Sequence, residues 1–238
     1  AYERSVAARA QRSFFVTDNE ADMFRRLAPE SAASVDAVSN GVDADFFSPD
    51  PARPSPFPGP AEQLPLVFTG AMDYWPNIDA VTWFVNDILP TLRQQWPRLC
   101  FYIVGRSPPQ AVLDLAAPKV VVTGTVADVR PYLQHAAVVV APLRVARGIQ
   151  NKILEAMAMA RPVVASQSCV AAISAEPETE LLAATSVADF VAQIGALLGS
   201  AQRSASVGSA GRQRVLQSYS WAAHLSKIDR YLNFKAKP

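Results

Sequence analysis

The stretch AVVVAPLRVARGIQNKILEAMAMARPVVAS, residues 137–166, carries an apolar run at each end and an amphipathic segment between them. Residues 137–141 and 162–166 have the length and valine content of buried strands. Between them Ile149, Ile153, Ala156, Met157 and Ala160 fall at helical spacing, which predicts a helix over 149–160 that starts near Gly148. Strand, helix and strand in that order form a crossover unit, and such a crossover joins parallel strands.

The same alternation runs upstream. Apolar runs at 64–69, 99–104 and 119–123 are further strands, with helices fitting at 108–116 and 126–135. Ile78, Val81, Phe84, Val85, Ile88, Leu89, Leu92 and Trp96 mark one buried helix face, and Pro90 should kink or split that helix. The strands are continuous apolar runs, so both faces of the sheet should be covered. The fold class is therefore α/β, a doubly wound parallel sheet.

Outside this core the readings are shorter. In residues 1–48, 13–17 is a strand candidate, and Thr17 with Glu20 forms a capping box for a helix to about Leu27. Pro29 ends it, and 34–39 is another strand before the turn Asn40-Gly41. Seven of the seventeen residues from Pro49 to Pro65 are proline, which no helix or central strand accepts. We place a stiff linker at 49–63, a main domain at 64–217 and a C-terminal helical segment at 218–238. Ser186 with Asp189 makes a second capping box ahead of Phe190, Val191, Ile194 and Leu197. The chain after Gly211 reads as one or two helices, with Ser220 a cap before Trp221.

Composition bounds the function classes. The chain has 238 residues, half of them hydrophobic, and a net charge of +1, so nucleic acid is not expected as a bulk electrostatic partner. Cys100 and Cys169 have no metal-ligand spacing, and a reduced, cytoplasmic setting is the simpler reading. No apolar run approaches the ~20 residues of a membrane helix. The start, Ala1-Tyr2-Glu3-Arg4, has neither an initiator Met nor a signal-peptide apolar region, so the numbering is expected to begin inside a longer chain.

In an open parallel sheet, ligands bind outside the carboxyl ends of the strands. Here strands stop at Gly70-Ala71, Gly105-Arg106, Gly124-Thr125, Pro142-Leu143-Arg144 and Ser166. Any one glycine is explained by a tight turn, but three on one edge point to close approach by a ligand. A helix opening near Gly148 exposes unpaired amides and the positive end of its dipole, which together make an anion site. Arg144, Arg147 and Lys152 add three cations, and a diphosphate is the natural occupant. Glu155 lies off the apolar stripe, where it can accept from a ribose diol or pair with a nearby cation as a solvated carboxylate.

The run Ile153 to Ala165 resembles the signature block of glycosyltransferase family 4. Asn40-Gly41-Val42-Asp43, followed by Phe47 and Pro49, is similar to that family's lead-in to the linker between its halves. Ile103-Val104-Gly105 and Val122-Thr123-Gly124-Thr125-Val126 resemble its middle strands. The resemblance covers nearly the whole chain. It implies a GT-B-type fold of two Rossmann-like halves, with this chain the C-terminal, nucleotide-sugar-binding half preceded by the tail of an acceptor-binding N-terminal half at 1–48. It implies a retaining transfer of a sugar, of hexosyltransferase type, from a nucleoside diphosphate sugar to a glycan or lipid-linked acceptor, with no metal or other cofactor. The nearest likeness is to bacterial enzymes of exopolysaccharide or envelope assembly, at the inner face of the membrane.

Carried onto this sequence, the resemblance gives Glu155 the donor ribose. Gly148, Ile149 and Gln150 match the helix start whose amides face the donor phosphates or sugar, with Asn151 next to them in the donor-binding set, and Gly124, Thr125 and Val126 fall where the base packs on backbone. Gly70 and Gly105 complete the donor edge. Two departures stand out. The family carries a glutamate eight residues before Glu155, where this chain has Arg147, and the loop after Gly70 lacks the family's Arg and Lys. Arg147 and Lys152 are therefore the candidates for stabilising the leaving diphosphate, and the missing half implies that this chain alone turns over little.

Other features carry less. His135 and His224 are far apart, and His135 closes a predicted helix, where a cation suits the dipole. Trp75 and Asn77 follow Gly70; either can line the pocket, and Trp75 can equally fill the seam with the other half. Ser168 and Cys169 lack a partner base. Arg203 to Lys237 holds seven Lys or Arg against one acid, Asp229. Such a face can touch anionic lipid, though a solvated helix crossing back to the other half is the plainer reading. The competing functions are a nucleotide-binding module without turnover and a sugar-nucleotide epimerase of the same architecture.

Overall fold

The computed structural model describes residues 2–58, 63–146, 148–221, 225, 228 and 231. An N-terminal lobe comes first: α1 (Tyr2–Ala7), β1 (Ser13–Phe15), α2 (Asp18–Leu27), a 3-10 turn over Pro29–Ser34, and β2 (Val35–Ala37), which pairs in parallel with β1. The capping box at α2 is present, with Thr17 accepting from the Glu20 amide and Glu20 accepting from the Thr17 amide.

The main domain follows as β3 (Leu64–Thr69), α3 (Trp75–Trp83), a π-helical turn over Phe84–Ile88, α4 (Leu89–Gln95), β4 (Leu99–Val104), α5 (Gln110–Leu113), β5 (Val120–Gly124), α6 (Arg130–His135), β6 (Val138–Ala141), α7 (Asn151–Ala158), β7 (Val163–Ser166), α8 (Gln167–Val170), β8 (Leu182–Ala184), α9 (Val187–Leu198) and α10 (Ala201–Ser218). Its six strands lie in the order β5-β4-β3-β6-β7-β8, all parallel. This is the doubly wound α/β sheet expected, with β4, β6 and β7 buried along their whole length. Strand order reverses between β3 and β6, and the crevice above that reversal is where such sheets bind ligands.

Helix boundaries differ from the sequence reading for local reasons. Pro90 does split its helix. It sits in the first turn of α4, and the chain before it widens into a π turn in which the Leu89 amide reaches back to the Phe84 carbonyl. Helix α7 starts at Asn151, not near Gly148, because Gly148 takes φ +62° and Gln150 is extended. Its far end turns at Ala160, φ +53°. Helix α6 begins at Arg130, since Asp128 accepts the Arg130 amide at 2.9 Å and holds 126–129 as a loop.

Three elements carry no clear sequence signal: α1, the short α8 and edge strand β8. Helix α10 runs much longer than the reading after Gly211 suggests. Its serines and glycines are poor helix formers, but Gly208 lets it lie on the end of α7, where a β-carbon would stand 2.3 Å from the Ala160 carbonyl oxygen.

Residues 49–58 form no helix or strand, yet they lie along α6. The Asp50 amide donates to Gln134 Oε1 at 2.9 Å and Gln134 Nε2 returns to the Asp50 carbonyl at 2.7 Å. His135 Nε2 meets the Arg53 carbonyl at 2.8 Å, which gives this histidine a structural partner. Phe57 packs on Tyr102 with ring centroids 4.5 Å apart. At the other end, the Val42 amide donates to the Tyr219 carbonyl at 2.8 Å, and the Tyr231 hydroxyl donates to Asp36 Oδ2 at 2.8 Å. The C-terminal segment thus touches the N-terminal lobe. His224 and most residues after Trp221 lie outside the described residues.

Candidate active site

A cleft of about 570 Å³ opens at the carboxyl ends of β3, β4 and β5, against the start of α7. That volume is in the range of small-molecule sites. Of the sequence-predicted residues, Gly70, Gly105, Thr125, Val126, Ile149, Asn151, Lys152 and Glu155 line it. They come from segments far apart in sequence, brought together by the parallel sheet.

Gly105 is required by close approach, since a β-carbon there would stand 1.6 Å from the Gly70 carbonyl oxygen. Gly70 leaves room for the two side chains that meet above it. A β-carbon at Gly70 would lie 2.8 Å from Asn77 Nδ2 and 2.9 Å from Lys152 Nζ.

Lys152 is the centre of the cleft's electrostatics. Its ammonium donates to Asn77 Oδ1 at 2.5 Å and sits 4.0 Å above the centre of the Phe68 ring. Part of the side chain stays open to the cleft, but the amine is surrounded mostly by protein. That burial lowers its pKa to about 7, against the opposing pull of Cys169 and Glu155. Burial likewise pushes the Glu155 carboxyl up, with Lys152 acting the other way. Asn77 is held in place by its Nδ2, which donates to the Ala71 carbonyl at 2.8 Å.

Two further features belong to the cleft wall. Gln150, the N-cap residue of α7, gives the first amides no side-chain cap, and that turn carries the positive end of the helix dipole. The Thr69 hydroxyl is buried in the cleft wall without a hydrogen-bond partner among the described residues. A buried hydroxyl left unpaired is costly, and this one lies beneath the cleft surface with almost none of its own area exposed. Arg106, exposed at the rim, adds a cation.

Several expected residues do not line the cleft. Arg144 pairs through both its Nε and Nη2 with Asp79, the Nε contact measuring 2.9 Å, and lies over the Trp83 ring. The carboxylate on α3 turns it into a separate hollow bounded by Trp83, Ser166 and Thr185. In this structure Arg144 therefore stands apart from the residues that line the cleft. Gly124 sits in the left-handed region, φ +68°, and shapes the turn after β5 without lining the cleft. Gly148 and Gln150 lead into α7 from outside the cleft wall, leaving Ile149 and Asn151 to face it. Arg147 lies outside the described residues.

Conversely, Thr69, Val129 and Asn40 line the cleft, although the sequence reading does not place them there, and Arg106, read only as part of a strand end, joins them. Asn40 comes from the N-terminal lobe and donates through Nδ2 to Asn151 Oδ1 at 3.1 Å. Between the two candidates after Gly70, Asn77 faces the cleft, and Trp75 is exposed elsewhere. Cys169 is buried, which raises its thiol to about 11 and fits an inert packing role.

Comparison with known proteins bears on this geometry. The profile of the family described as "Glycosyl transferases group 1" matches residues 64–200, more than half of the chain. Comparison with curated proteins finds no match. Among solved structures, sucrose-phosphate synthase from Thermosynechococcus elongatus superposes with a TM-score of 0.76 at 21% identity, over 97% of this chain and 60% of that one. HepE from Anabaena, in complex with UDP and glucose, gives 0.77 at 16% identity, over 98% and 66%. The C-terminal domain of LpcC, a glycosyl transferase group 1 family protein from Francisella tularensis, is matched along its full length by 76% of this chain, at 16% identity and a TM-score of 0.59. At these identities the likeness is one of fold. The chain spans two thirds or less of the length of the first two.

Proposed function

This chain belongs to the group 1 glycosyl transferases, and from that premise we propose that it is the donor-binding half of a retaining sugar transferase of family 4. In this reading the donor is a nucleoside diphosphate sugar. Its base packs by Thr125, Val126 and Val129, Glu155 accepts from the ribose diol, and the diphosphate rests on the open start of α7. Lys152 takes the charge that grows on the leaving diphosphate, with Arg106 at the rim. Preorganised cations and amides stabilise such charge without a proton donor. No metal ion is needed in this scheme, so a chelator should leave turnover unchanged.

The observation that carries the proposal is one convergence. Lys152, Asn151 and Glu155 on the first turns of α7 meet the strand ends Gly70 and Gly105 in a single cleft where strand order reverses. Lys152 reaches from α7 to the loop after β3, a loop whose residues 71–77 include no Lys or Arg.

The acceptor is proposed to be a glycan or lipid-linked sugar in bacterial exopolysaccharide or envelope assembly, met at the inner face of the membrane. No described helix is long and apolar enough to cross a membrane, so contact with the bilayer would be peripheral, through the basic residues from Arg203 onward. The acceptor-binding half would be supplied by sequence outside this chain, and the chain alone is expected to turn over little.

The test is a thermal-shift panel of UDP, GDP, ADP and their sugars. HepE's complexes with UDP and with UDP-glucose make the uridine series the first to try. A ligand at 100 times its dissociation constant should stabilise the fold by about 2.7 kcal/mol. No shift with any nucleoside diphosphate would reject the reading. Binding without transfer by the full-length enzyme would leave a nucleotide-binding module.

A further inference from the structure

The donor cleft does not end at α7. A hollow of about 280 Å³ shares Ile149 with it, and a larger one of about 780 Å³ shares Thr17 and Asp18 with that hollow. The larger hollow lies between the first turn of α2 in the N-terminal lobe and the segment around Gly148 and Ser168 in the main domain. Its polar lining, Thr17, Asp18, Asn19, Glu20 and Ser168, is rich in hydroxyl and carboxylate groups.

Glu20 has two carboxylate oxygens with different surroundings. Oε2 closes the cap of α2, accepting from the Thr17 amide at 3.2 Å and the Thr17 hydroxyl at 3.1 Å. Oε1 has no hydrogen-bond partner among the described residues and points at Gly148, 4.0 Å from where a β-carbon on that glycine would sit. Because Gly148 has no side chain, no β-carbon stands in front of that oxygen.

A nucleoside diphosphate sugar is a linear ligand. With the base at the end of β5 and the diphosphate at the start of α7, the sugar must extend past Ile149 towards Gly148. We propose that Glu20 reads the donor sugar there, its Oε1 accepting hydrogen bonds from sugar hydroxyls. The inference rests on the donor reading above and adds a specificity-determining residue contributed by the N-terminal lobe. Ser168 and Asn19 stand where they can bond further hydroxyls.

A glutamate that only caps its helix would look the same at Oε2, so the test must spare the cap. Glutamine serves as well as glutamate at that position of a capping box, and Glu20→Gln removes the charge alone. Calorimetry on the intact chain would compare UDP with UDP-glucose and GDP with GDP-mannose, in the parent and in Glu20→Gln. The expected result is unchanged affinity for the nucleoside diphosphate, an unchanged urea midpoint, and about tenfold weaker binding of the sugar nucleotide, the size of one charge-assisted hydrogen bond. Equal affinities of parent and variant for the sugar nucleotide, or an equal loss for nucleotide and sugar nucleotide alike, would overturn the assignment while leaving the donor reading intact. If the parent binds neither nucleoside diphosphate, the donor reading fails and this assignment falls with it.

Discussion

Lys152 is a cation whose charge depends on what lies beside it. In the folded protein burial sets its pKa at about 7, whereas an unfolded lysine keeps its proton to about 10.4. Between those values the unfolded chain binds more protons, so this residue's contribution to stability rises with pH across that window and is least favourable below 7. A bound diphosphate reverses the balance by holding the ammonium charged. Above pH 7 the complex then carries one more proton than the free protein, and nucleotide affinity should fall by about tenfold per pH unit until the bound lysine itself titrates. Calorimetry in buffers of different ionisation enthalpy would read that uptake directly. Lys152→Met should abolish the slope, weaken the nucleotide by about tenfold or more, and raise the stability of the empty protein at pH 6. Gly105 is the second residue with a sharp demand. Gly105→Ala would drive a β-carbon into the Gly70 carbonyl, and a loss of about 3 kcal/mol in urea denaturation is expected.

At the scale of elements, the features written in local chemistry are legible in the chain itself. Both capping boxes, Thr17 with Glu20 and Ser186 with Asp189, form as their spacing predicts. Ser186→Ala should therefore cost about 1 kcal/mol of stability, measurable by urea denaturation. Pro90 is legible as a break, though not as a π turn, because the accommodation depends on Phe84 and Leu89 remaining buried against the sheet. What sequence does not show is set by tertiary contact. Arg144 and Lys152 both look like phosphate cations on a one-dimensional reading, and only the fold brings Asp79 to one and Asn77 to the other. Thr69 gives no signal beyond its place at a strand end, since an unpartnered hydroxyl is recognisable only once its surroundings are known. Helix α10 is obscured by composition and is held by its close packing on α7.

Across the whole molecule, the N-terminal lobe contributes to the site as well as leading into it. Asn40 reaches Asn151 at the first turn of α7, and Glu20 faces Gly148. The tie between Tyr231 and Asp36 and the strand bridge between Val42 and Ser220 hold that lobe to the C-terminal segment. A change at this seam, such as Tyr231→Phe, should cost about 1 kcal/mol in urea denaturation and weaken both nucleotide and sugar-nucleotide binding, because Asn40 and Glu20 of the N-terminal lobe stand at the two ends of the proposed donor site.

The central claim is that a diphosphate lies against the opening turn of α7 within reach of Lys152. The most direct measurement is a crystal structure of this chain soaked with the nucleoside diphosphate that gives the largest thermal shift. Phosphate density is expected at hydrogen-bonding distance from Lys152 Nζ and the Asn151 amide, with the ribose beside Glu155. Ordered nucleotide elsewhere on the protein, with that turn empty, would contradict it.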